Sequence, residues 1–188
     1  MENSASTGVQ VSHYRLMGGL AMTGGVLYAI SGLFVDEAAA TTPPWLSLIG
    51  VIWALGCLCG LVGIGILGAV GRGLFGRIAL AIAVLAYAVA ALDGLLSAVG
   101  IFTVDTSPLF GISRLGTLVG MLLVGIAALV ARRWPGWRTF SPFAVPLAVP
   151  VASGVFLVAG DSVIQVPLFI GLAWLLIGYA VLSTPEPV

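Results

Sequence analysis

The run from Trp45 to Val70 reads Trp-Leu-Ser-Leu-Ile-Gly-Val-Ile-Trp-Ala-Leu-Gly-Cys-Leu-Cys-Gly-Leu-Val-Gly-Ile-Gly-Ile-Leu-Gly-Ala-Val, without one charged side chain or proline. About 20 consecutive apolar residues carry a helix through the hydrocarbon core of a bilayer. The run is too long for a barrel strand and lacks apolar/polar alternation. It predicts a membrane-spanning helix. Five further segments share its character: Leu16–Val35, Ile78–Val104, Leu109–Ala131, Pro142–Gly160 and Val163–Leu182. The connections between them are short, which makes successive helices antiparallel neighbours. The expected fold is all-α, one polytopic bundle of six transmembrane helices over residues 16–182, with short tails at 1–15 and 183–188.

Composition agrees. Of 188 residues, 60% are hydrophobic and 7% charged, with seven arginines, seven acids and no lysine. Soluble domains carry roughly 25% charged residues because their surfaces must be solvated, so a water-soluble monomer is excluded. A net charge of zero leaves no basic footprint for nucleic acid. The lipid bilayer is the expected surrounding, in the inner (plasma) membrane of a prokaryotic cell.

The charges sort by side. Arg15, Arg72, Arg77, Arg132, Arg133 and Arg138 flank alternate connections, while Asp36, Glu37, Asp105 and Asp161 occupy the others. Arginine-rich loops stay cytoplasmic, which puts both termini inside. Trp45, Trp134 and Trp137 fall at predicted span ends, as interfacial anchors do. Ala38-Ala39-Ala40 resembles a signal-peptidase site whose use would leave five spans. The long apolar run and long polar leader before it argue against cleavage.

Three hairpins can be read in the chain. Asp36, Asp105 and Asp161 end the odd spans, and Pro44-Trp45-Leu46, Pro108-Leu109-Phe110 and Pro167-Leu168-Phe169 open the even ones. Duplication explains this, and so does interfacial chemistry that repeats with depth. Small residues allow backbones to approach closely in lipid. Gly56 and Gly60 form one GxxxG pair and Gly116 and Gly120 another, while Gly18, Gly25 and Gly32 recur every seven residues. These faces suit packing inside the bundle or the interface of a homo-oligomer. In the fifth span Pro142 can start the helix, whereas Pro146 and Pro150 remove backbone hydrogen bonds and read as a kink or hinge.

Asp93 is read near the middle of the third span, beside Ala90, Ser97 and Gly100 on one small, weakly polar face. A carboxylate at that depth is costly and points to function. Arg114, inside the start of the fourth span, is expected within about 9 Å of the same depth. The two are expected to form a buried or semi-buried ion pair, either a structural lock or, with Ser97, an ion or substrate site.

Missing residues exclude more. Without lysine there is no Schiff base, and with His13 alone there is no intramembrane Ser–His dyad, His-ligated haem or HExxH zinc site. Cys57 and Cys59 point to opposite sides of a helix and read as packing residues, not as a disulfide or metal pair. No cofactor, metal or catalysis is expected. Ala90-Ala91-Leu92-Asp93-Gly94 and Trp174-Leu175-Leu176-Ile177-Gly178-Tyr179, with the tryptophan-bearing start of span two, resemble uncharacterised six-helix membrane proteins of high-GC bacteria. That resemblance implies six helices and transfers no activity. Two functions are therefore expected: a non-enzymatic protein working through helix contacts with a membrane partner or its own copies, or a small transporter or channel using Asp93 and Arg114.

Overall fold

The computed structural model describes residues 4–34, 43–102, 106–159 and 165–185. Six α-helices account for most of them: α1 (Ser4–Ser31), α2 (Pro44–Ile66), α3 (Leu74–Ala98), α4 (Pro108–Ala131), α5 (Ala144–Ala159) and α6 (Gln165–Leu182). A 3-10 turn, Gly32–Phe34, prolongs α1, and a longer one, Gly136–Phe143, leads into α5. There is no strand among the described residues. The stretch His13–Phe34, together with α2, α3 and α4, gives four helices long and apolar enough to cross a membrane. Helices α5 and α6 are shorter, at 16 and 18 residues.

Chain chemistry sets the ends. Pro44 and Pro108 occupy the first turn of their helices, where a missing N–H costs nothing. Ser107 caps α4, its hydroxyl accepting from the Leu109 N–H at 3.3 Å. Helices α2 and α3 end in Schellman turns. In α2 Gly68 (φ +63°) donates to Gly65 and Ala69 to Ile64; in α3 Gly100 (φ +76°) donates to Ser97 and Ile101 to Leu96. The third helix thus stops at Ala98, short of the expected Val104, because the left-handed glycine turns the chain. The second stops at Ile66, short of Val70, for the same reason. At the other extreme α1 starts at Ser4, so most of the expected N-terminal tail is helical. No proline interrupts that leader.

The helices pack in a ring, each against its neighbours in sequence, and α1 closes the ring against α6. Glycine makes the closure. A Cβ on Gly18 would lie 2.8 Å from the Gly178 carbonyl oxygen, and one on Gly25 would lie 2.7 Å from that of Gly171. The two antiparallel backbones therefore touch directly. The GxxxG residues are used in the same way. Gly56 meets Leu20 and Gly24 of α1, Gly60 meets Ala21 and Trp174, Gly116 meets Ala86, and Gly120 meets Ala83. Trp174, Tyr87, Leu61, Met121 and Ile177 fill the interior, while the outer faces expose leucine, isoleucine and valine. Helices α4 and α5 form the thinnest seam of the ring.

Two expectations change at the arginine-bearing end. Trp134 is buried there, its indole N–H donating to Thr184 Oγ1 at 2.8 Å, so it ties the chain end rather than facing lipid headgroups. Arg138 donates to the Ser183 carbonyl at 2.9 Å, and Tyr14 to that of Thr184 at 3.4 Å. The start of the expected C-terminal tail is thus docked. Pro142 lies in the 3-10 turn, and Pro146 in the first turn of α5, where it breaks no intrahelical bond. The reading of a kink or hinge rests on Pro150 alone, inside the helix.

Candidate functional site

In the half of the bundle where α1 ends and α2, α4 and α6 begin, the ring lines a partly open cavity of about 630 Å³. Every helix contributes to its wall: Tyr28, Trp53, Asp93, Arg114, Val149 and Ile170 come from α1 to α6 in turn. Pockets of roughly 300–1,000 Å³ with mostly apolar walls and a few convergent polar groups are typical small-molecule sites.

Asp93 and Ser97 both line this cavity, as does Arg114. Asp93 is 8% exposed and sits only five residues before the end of α3, in the C-terminal part of the helix rather than at its middle. The early stop at Gly100 is the cause. The Ser107 hydroxyl donates to the Asp93 carboxylate, so one serine both caps α4 and holds the acid. Arg114 reaches across to α1, where it donates to the Tyr28 hydroxyl at 3.3 Å, and its guanidinium lies 4.9 Å from the centre of the Phe110 ring.

The expected Asp93–Arg114 ion pair is not made, since each side chain has taken another partner. Helix register favours the serine. Gly116 rests on Ala86 and Gly120 on Ala83, which brings Asp93 level with residues 109–110 of α4. That is about a helical turn nearer the α3–α4 connection than Arg114. The serine is the closer partner.

Below the two charges runs an aromatic wall. Tyr28 stacks on Trp53 with centroids 4.1 Å apart, Trp53 meets Tyr87 edge-on at 5.7 Å, and Tyr87 meets Trp174 edge-on at 5.2 Å. The Trp174 indole donates to the Tyr87 hydroxyl at 2.9 Å. The Trp53 Nε1 is buried and has no hydrogen-bond partner among the described residues. Ser31, Ser113 and Thr117 spend their protons on carbonyls of their own helices.

Tyr28, Trp53, Tyr87 and Ser107 escaped the sequence reading. Aromatic residues with polar handles placed well inside an apolar span are one signal for the first three. The Ser107-Pro108 pair, a helix cap followed by an N1 proline, is the signal for the fourth. Cys57 is buried, Cys59 is partly buried, and both are free. No protein-family model matches the chain, and neither does any curated protein or solved structure.

Proposed function

We propose that this is an integral membrane protein whose six helices line a binding chamber for a small, mostly apolar molecule, with Asp93, Ser97 and Arg114 as polar contacts, and that it carries this molecule through the membrane. The observation behind the proposal is the cavity itself, which reaches both charged side chains and draws its wall from all six helices. A protein working through helix contacts needs small-residue faces turned outward. Here Gly56, Gly60, Gly116 and Gly120 are all spent on helices of the same chain, so these two GxxxG faces pack within the bundle. The gathering of Arg72, Arg77, Arg132, Arg133 and Arg138 in or beside the α2–α3 and α4–α5 connections supports cytoplasmic termini in an inner membrane. The chamber then lies toward the outer face.

Cysteine accessibility tests the chamber. Thr117 is 7% exposed, lines the cavity and lies well inside α4, whereas Ala128 is fully buried and does not line it. In a chain with Cys57 and Cys59 replaced by alanine, Thr117→Cys is expected to react with a small water-soluble methanethiosulfonate while Ala128→Cys stays inert. Equal inertness of the two sinks the proposal.

A further inference from the structure

Hydrogen bonding within the chamber is unbalanced. Arg114 carries five N–H donors in a rigid fork, and among the described residues only the Tyr28 hydroxyl accepts from it. The Tyr28 and Tyr87 hydroxyls each accept a bond, and neither has an acceptor for its own proton among the described residues. The Trp53 N–H likewise has none. These four side chains line one cavity and adjoin one another through stacked, edge-on and hydrogen-bonded contacts. The hydroxyls of Ser31, Ser113 and Thr117 offer no protons, since theirs go to the backbone. The acid of the chamber is held by Ser107, a turn away.

Acceptors are therefore lacking at these donors, beside a cation on which Asp93 acts only from a distance, without a hydrogen bond, within mostly apolar walls. Cations in such surroundings are retained where a counter-charge meets them. A carboxylate is acceptor-only, planar and singly charged. It matches the guanidinium fork in geometry and balances its charge.

We propose that the chamber binds a carboxylic acid with an apolar body, its carboxylate on Arg114 and its hydrocarbon portion along the walls from α5 and α6, where Val145, Val149, Val166 and Ile170 line the cavity. This rests on the chamber being a binding site and adds the class of ligand.

Scintillation proximity on the purified full-length protein in non-ionic detergent, with radiolabelled decanoate as probe, tests it. Decanoate is expected to bind saturably, and decan-1-ol and decyltrimethylammonium to compete about tenfold less well than unlabelled decanoate. Arg114→Gln is expected to weaken decanoate by about tenfold while leaving decan-1-ol unchanged, and Arg114→Lys to fall between, since it keeps the charge and loses the fork. If decan-1-ol competes as well as decanoate, the anion assignment falls and the apolar chamber stands. The anion assignment falls likewise if Arg114→Gln binds decanoate as the parent does. If none of the three amphiphiles binds saturably, the chamber falls with it. The comparison of head groups on the unmodified protein decides the matter even if an Arg114 variant does not fold.

Discussion

Replacing Gly171 by alanine tests the packing that closes the ring. A Cβ there would lie 2.5 Å from the Gly25 carbonyl oxygen and 2.7 Å from both the backbone nitrogen and the Cβ of Ala29. All three belong to the α1 backbone or to its most rigid side-chain atom, so no rotamer change can relieve the contact. Reaching ordinary van der Waals separation, at least 3.4 Å, requires α1 and α6 to part by about 0.9 Å. Overpacking of this kind costs about 1–3 kcal/mol. Alanine recovers up to about 1 kcal/mol of helix propensity, which leaves a net loss of about 2 kcal/mol at the upper end. For a chain of this length each kcal/mol lowers the melting temperature by about 2–4 °C. Because the clash is with backbone that cannot swing aside, the upper end applies, and a fall of about 4–8 °C is expected from circular dichroism of the protein in detergent. Gly111→Ala is the control, because its Cβ would meet nothing within 4 Å; its melting temperature should hold or rise. If Gly171→Ala melts with the parent and with Gly111→Ala, the direct backbone contact between first and last helices is wrong.

Other substitutions probe the chamber and the turns. Ser107→Ala removes both the α4 cap and the donor to Asp93, and should cost about 1–3 kcal/mol in thermal unfolding. In an Asp93→Asn background the cost should shrink, and a double-mutant cycle with no coupling would disprove the shared role of the serine. Gly100→Ala forces a left-handed conformation on a residue with a Cβ, at about 1–2 kcal/mol, with Gly100→Asn milder; equal melting temperatures for all three would refute the turn. Trp134→Phe loses the donor to Thr184 and should cost about 1 kcal/mol while speeding proteolysis after Leu182, read by intact mass. Asp93→Asn in liposomes should change proton or solute flux if the acid takes part in transport, and unchanged flux confines it to holding α4.

The helices were legible because lipid demands long apolar runs, and α1, α2, α3 and α4 fall where those runs lie. Their ends were not. Apolar residues continue through Leu67–Val70 and Val99–Val104, and hydropathy does not register that Gly68 and Gly100 adopt positive φ. The shifted end of α3 then misplaced the candidate site. Counting residues put Asp93 at mid-span and paired it with Arg114, whereas the observed register sets it against Ser107. Asp93 and Arg114 themselves were legible as the charges that topology left unexplained, and both line the cavity. Their partners Ser107 and Tyr28 depend on which helices are neighbours in space. No periodicity within one span carries that information.

The glycine contact between α1 and α6 also sets a clock. The first helix leaves the ribosome long before its main partner exists, with some 130 residues of chain between Ser31 and Gln165 still to be made. At about 5–20 residues per second that wait lasts roughly 7–27 s. Throughout it, Gly18 and Gly25 present a bare backbone stripe to lipid or to any other helix nearby. Closure of the ring therefore waits on the docking of α6 against α1. A nascent chain arrested before α6 is left as an open arc with that stripe uncovered.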